Sequence, residues 1–206
     1  MPVSWRTTSG TGGPGSGPGP PEPELDPIER AALLAVARAA VRAAVLDHPP
    51  PSLSDLPSRL REPAGAFVSL HAGSALRGCI GSVTPEGSLA ALVARVAAVA
   101  ATGDPRFVRV HPDELPQLEI EISVLSAAVP VSHDRLDPAR HGASIRLGAR
   151  RGVLLPQVAA REGWDRAALL AALCEKAGLS AQAWRDPAAV LLAFTVTTIA
   201  GPLDAP

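Results

Sequence analysis

The chain has 206 residues and a formal net charge of −1, room for one domain of generous size or one with two lobes. The charge balance lacks the clustered basic excess of a dedicated nucleic-acid binder. Apolar residues make up 47% of it, yet there are three Phe, three Trp and no Tyr, so Ala, Val and Leu must fill the core and aromatic platforms for base stacking are scarce. Two cysteines far apart, Cys79 and Cys174, give no disulfide framework and no CxxC pair, which fits a reducing compartment. No secretory signal is visible. The most apolar segment, 89–101, is too short to span a bilayer and carries Arg95, so the expected setting is cytoplasmic, away from membranes.

Residues 1–24 are rich in Gly, Pro and Ser and offer almost nothing to bury, which predicts a disordered leader; a PxxP-like stretch lies at Pro18 to Pro21. Asp26-Pro27 reads as an N-cap followed by a first-turn proline, opening a helix through Leu33, Val36, Val41 and Val45. Residues 65–72 alternate as a strand, Gly73-Ser74-Ala75 is turn chemistry, and Leu76 to Ile80 reads as the returning strand. Alternation puts Val68, Leu70, Leu76 and Ile80 on the core face and Ser69, His71, Arg77 and Cys79 on the other. That register needs an odd loop length; a two-residue turn would break it.

Ser88 caps a helix from Leu89, with Gly103 placed to end it in the left-handed conformation. Asp104-Pro-Arg-Phe107 follows. Leu118 to Leu125 alternates with Leu118, Ile120, Ile122 and Val124 inward and Glu119, Glu121 and Ser123 outward. Ile145–Leu147 and Gly152–Leu155 form a second hairpin across Gly148 to Arg151. Asp165 caps a helix with a Leu169, Leu170, Leu173, Cys174 face and Gly178 as its stop, and Val190 to Ala200 is one last strand closing the sheet. Helices and strands without a steady βαβ rhythm predict an α+β fold with a largely antiparallel sheet.

Chemistry concentrates at Leu76-Arg-Gly-Cys-Ile-Gly81. A thiolate forms near neutral pH only when its charge is stabilised; Arg77, on the expected face of Cys79, is the candidate cation. His71 or Glu121 would handle protons, and Gly78 and Gly81 would admit a ligand or another backbone. Ser69, Asp104 and Arg106 complete the candidate ligand contacts, Arg106 being suited to an anion. Each has a structural alternative. Cys79 serves equally as a small hydrophobe, the glycines as a bulge, Asp104 and Arg106 as turn partners, and Glu119 and Glu121 as a solvated face. If the Glu121 and Cys79 faces meet, Arg77 and Glu121 form an ion pair. Cys174 reads as core. Trp164, Trp184 and Lys176 read either as a partner surface or as a cover for the sheet end. No HxH, HExxH, P-loop or dinucleotide pattern occurs and two cysteines exclude a three-cysteine iron–sulfur site, so neither metal nor cofactor is expected.

The Leu76 to Gly81 motif resembles that of the AMMECR domain family, whose bacterial and archaeal members are called AmmeMemoRadiSam system protein A. Gly65 to Leu70, Asp104 to Phe107, Glu119 to Leu125, Gly152 to Ala159, Glu162 to Trp164, Leu173 to Gly178 and Trp184 are similar to family blocks in the right order, over roughly 25–200. The resemblance implies a domain over 25–206 with two lobes and the cysteine motif near a cleft between them. It further implies partnership with a Memo-like protein and a radical-SAM enzyme. Two functions follow as expectations. One is an accessory component presenting Arg77, Cys79 and Glu121 to a small ligand or to that partner. The other is a thiol-dependent enzyme with Cys79 as nucleophile.

Overall fold

The computed structural model describes residues 20–204, so most of the expected leader lies outside the described residues. The described part of the leader packs: Thr195 and Thr197 hydroxyls donate to the carbonyls of Pro21 and Pro23, and Pro23 and Leu25 are buried. The architecture is α+β, with two four-stranded antiparallel sheets flanked by helices. The chain divides into two compact units, one spanning 21–127 with the C-terminal stretch from Phe194, the other spanning 128–193. No described helix is long and apolar enough to cross a membrane.

In the first unit, α1 (Pro27–Val45) starts at a capping box: Asp26 accepts from the Glu29 N–H while Glu29 accepts from the Asp26 N–H. The strands are β1 (Ala66–Ala72), β2 (Ala75–Ser82), β3 (Leu118–Leu125) and β8 (Val196–Pro202), in the order β2-β1-β3-β8. Helix α2 (Leu89–Thr102), capped by Ser88, packs against α1 and against β1 and β2. Leu92, Val93, Val96, Val68, Leu70, Ile120 and Ile122 meet in this core and are all but inaccessible. Each such side chain contributes about 1.5–3 kcal/mol relative to exposure. Gly103 ends α2 at φ −136°, not in the left-handed region; its N–H still bonds the Val99 carbonyl at 2.7 Å.

The β1–β2 hairpin departs from the expected register in an instructive way. Ala72 pairs with Ala75 across a two-residue Gly73-Ser74 turn, Gly73 supplying φ +57°. That turn puts Leu76 opposite His71, so Leu76 is 37% exposed and not in the core. A bulge then restores the phase. Pairing jumps from His71↔Leu76 to Leu70↔Gly78, leaving Arg77 as the extra residue without a β1 partner. Beyond it, Val68↔Ile80 and Ser69↔Cys79 pair on the faces the alternation assigns.

The second unit holds β4 (Val129–Pro130), β5 (Gly142–Leu147), β6 (Arg150–Leu154), α3 (Pro156–Glu162), α4 (Arg166–Lys176) and β7 (Val190–Phe194, whose last residue belongs to the first unit), with the sheet ordered β4-β7-β5-β6. Its own core gathers Leu136, Ile145, Leu169, Leu173 and Cys174. Cys174 is fully buried, as its place on the leucine face implied, and burial pushes its thiol pKa up. The run expected to form one strand, Val190 to Ala200, is two strands in two sheets, cut at buried Thr195, whose N–H bonds the Ser126 hydroxyl.

Gly78 is buried against α2: a Cβ there would land on the Ala100 carbonyl, part of a helix that cannot yield locally. Gly78→Ala is expected to destabilise the first unit by about 3 kcal/mol or more, read as a lowered urea midpoint. Gly73→Ala, where a Cβ meets open space and only the positive φ resists, should cost about 1 kcal/mol.

Candidate functional site

Cys79 sits on β2, the edge strand of the first sheet, opposite Ser69 of β1, which in turn faces Glu121 of β3. Cys79, Ser69 and Glu121 therefore form one cross-strand row on the face away from the α1–α2 core. Directly opposite residues in such a row have Cβ atoms about 4.5–5.5 Å apart. The Ser69 hydroxyl donates to the Cys79 sulfur at 3.2 Å. The next row carries Leu76, His71 and Glu119. His71 is thus diagonal to Cys79, and the hydrogen bond recorded at the sulfur from this face comes from Ser69.

The Cys79 peptide points off the free edge of the sheet, and an ion pair of buried Asp104 with exposed Arg106 brackets it. Asp104, just past α2, accepts the Cys79 N–H on Oδ2 at 2.9 Å, and Arg106 donates to the Cys79 carbonyl at 2.7 Å. The two side chains bind each other as a fork, Nε to Oδ1 at 2.9 Å and Nη2 to Oδ2 at 2.7 Å, while Oδ1 also accepts the Arg106 N–H. The Asp104 side chain is 1% exposed. The guanidinium beside it and two backbone N–H donors outweigh desolvation and hold its carboxyl far below the usual carboxylate range. Arg106 is held above its usual value mainly by the Asp104 hydrogen bond; charge and hydrogen-bond contact with the Cys79 thiol add to it. Its guanidinium also lies 5.4 Å from the Phe107 ring centre.

The cation bonded to Cys79, through its carbonyl, is therefore Arg106 and not Arg77. The bulge re-aims Arg77, which forks onto Glu114 (Nε–Oε2 2.8 Å, Nη2–Oε1 3.0 Å) and reaches the Val108 carbonyl. Its hydrogen bond to Glu114 raises the Arg77 pKa and lowers that of Glu114. The expected Arg77–Glu121 ion pair is replaced by Arg77–Glu114. Gly78 and Gly81 are likewise filled from within the chain, Gly78 by the Ala100 backbone and Gly81 by the Phe67 ring. Among the described residues no group of three or more His, Cys, Asp or Glu is placed to hold a metal ion. Glu114 was missed by sequence reasoning. A glutamate in a Pro-rich 3-10 turn, 37 residues from its arginine, carries no local signal.

A profile of the AMMECR1 family matches residues 34–199. The chain belongs to the AMMECR1 family. It is 40% identical to a protein of Thermofilum pendens over 179 residues, covering 76% of this chain and 82% of that protein. A protein of Methanothermobacter thermautotrophicus is 41% identical over 142 residues, 65% of this chain and 73% of that one. Among solved structures, an uncharacterised protein from Pyrococcus horikoshii superimposes with a TM-score of 0.77 at 31% identity, covering 82% of this chain and 90% of that one. The family match spans Cys79, Ser69, Glu121 and the Asp104–Arg106 bracket.

Asp104 sets a pH dependence whose sign is fixed. Its folded-state pKa is depressed, so the pair stabilises above the unfolded carboxylate value of about 3.9 and the stabilisation is lost as pH falls below it. Asp104→Asn should therefore lower stability by about 2 kcal/mol at pH 7 and flatten the acid limb of the stability profile below about pH 4, read by urea titration across pH.

Proposed function

We propose that this AMMECR1-family chain is an accessory, binding component of a modification system, working with a Memo-like protein and a radical-SAM enzyme. The surface it presents is the sheet face carrying Cys79, Ser69 and Glu121. One observation carries this reading: both guanidinium groups around the cysteine strand are already paired, Arg106 with Asp104 and Arg77 with Glu114. A nucleophilic thiolate draws on a surplus of positive charge. Here the ionic groups hold backbone in place, which suits a shaped surface better than a reacting centre.

A second reading, a thiol-dependent enzyme with Cys79 as nucleophile, is supported by the Ser69 hydroxyl on the sulfur and by the Arg106 guanidinium on the carbonyl of the same residue. In it Arg106 takes the role first assigned to Arg77. His71 and Glu121 remain the groups available for proton transfer on that face.

Two measurements separate them. In co-expression with the Memo-like and radical-SAM partners, a complex stable at micromolar concentration is expected, and Ser69→Arg, which plants a bulky charge in the row, should weaken it about tenfold or more. No complex at that concentration overturns the accessory reading. The second is iodoacetamide alkylation of native protein at pH 7, with Cys79→Ser as the blank. The accessory reading expects a rate within about tenfold of free cysteine. A rate well above that, lost in Arg106→Gln, establishes the nucleophile instead.

A further inference from the structure

The second unit contains a hollow of about 350 Å³ at the start of α4, lined by His133, Asp165, Arg166, Leu170, Trp184 and Arg185, with Ala167 beside them. We propose that it binds a small oxyanion, a phosphate monoester or carboxylate, that carries a flat apolar group, with Arg166 and Arg185 on the anion and Trp184 and Leu170 on the apolar body. Nothing in the Cys79 site enters this argument.

The size lies at the lower end of small-ligand cavities, and the lining has the composition such sites need: an apolar floor with a few convergent polar groups. Leu170 is buried at the floor. Trp184 forms a wall packed against the core of its unit, its ring 4.8 Å from that of His133, also in the lining, at a 59° tilt. The Arg185 guanidinium stacks on it, 4.7 Å from the ring centre.

Two guanidinium groups and one carboxylate, Asp165, line the hollow, and among the described residues neither cation is closed into an ion pair. Arg166 donates Nε to the Leu136 carbonyl at 2.7 Å, which fixes the side chain and leaves its two Nη groups to turn elsewhere. Among the described residues neither Arg166 nor Arg185 forms a salt bridge. The nearby carboxylates are committed to other donors. Asp165 caps α4 by accepting the Ala168 N–H at 2.8 Å, and Asp186 accepts the Ala188 N–H at 2.8 Å. Asp134 is held below the usual carboxylate range first by the Ser132 hydroxyl, and only then by the charges of His133 and Arg166. Two guanidinium groups beside an aromatic wall, above an apolar floor, are complementary to a planar molecule with an anionic end.

The test uses the full chain and three probes: phenyl phosphate, inorganic phosphate and phenol. Phenyl phosphate is expected to bind saturably, moving the Trp184 indole N–H resonance, and at least about tenfold more tightly than either half alone. Arg166→Gln and Arg185→Gln should each weaken it about tenfold. Arg185→Gln keeps the test valid if loss of the Leu136 anchor unfolds the Arg166 variant, because Arg185 is exposed. Trp184→Leu should weaken phenyl phosphate about fivefold and leave inorganic phosphate within about twofold. Phenylacetate in place of phenyl phosphate assigns the headgroup: tighter binding means a carboxylate, weaker binding a phosphate. No saturable shift at Trp184, or unchanged affinity in Arg185→Gln, overturns the proposal.

Discussion

The cysteine strand depends on one buried carboxylate. β2 is an edge strand, and the N–H and C=O of Cys79 face away from β1, where an edge ordinarily leaves them to water or to another chain. Asp104 takes the N–H, Arg106 takes the C=O, and each completes the other. Burying the Asp104 charge alone would cost several kcal/mol; with the Arg106 fork and two backbone donors every lone pair has a use. The pair closes the edge at this peptide and fixes the direction in which the sulfur points.

Two neighbours pin the same strand from other sides. The Ala100 backbone lies on Gly78, and the Phe67 ring lies on Gly81. Glycine on either side of Cys79 therefore answers a packing demand, close approach of helix backbone on one face and of a ring on the other. With Arg77 swung out by the bulge onto Glu114, β2 is held at 77, 78, 79 and 81 and cannot slip in register. A stiff strand presenting one sulfur, one hydroxyl and one carboxylate in a row is the result.

How much of this the sequence disclosed follows from how local each cause is. Alternation in β1 and β3 was legible because one face of each is buried, and the Asp26, Ser88 and Asp165 caps because a cap acts within three residues. Leu76 was misplaced because the turn holds two residues, and Arg77 because it is the extra residue of a bulge and its guanidinium goes to Glu114, far along the chain. The single strand expected over Val190 to Ala200 mixes apolar and β-branched residues with no Gly or Pro to break it; what cuts it at Thr195 is hydrogen bonding to Ser126 and Pro21, again nonlocal. The α3 helix, seven residues long, is too short for periodicity to register. In Asp104-Pro-Arg-Phe107 the i, i+2 pair was read as turn chemistry. The turn is real, and its second use, holding a strand edge 25 residues back, left no mark in the local pattern.

The electrostatics of the cysteine follow from that second use. A lone guanidinium about 4 Å from a thiolate at an effective dielectric of about 20 would contribute about 4 kcal/mol, enough to change what the thiol does at neutral pH. Arg106 is not alone. Its charge reaches the sulfur together with that of Asp104, forked to it and bonded to the same Cys79 residue through the N–H. A paired cation and anion act on the sulfur as a dipole, whose field is the difference of two opposing terms and falls off faster than either. The oriented hydrogen bonds of the pair to the Cys79 backbone do not depend on that field. Arg106 then serves as a directional donor that fixes the Cys79 backbone through its carbonyl, and the Ser69 hydroxyl on the sulfur completes a cradle defined by hydrogen-bond geometry more than by net charge.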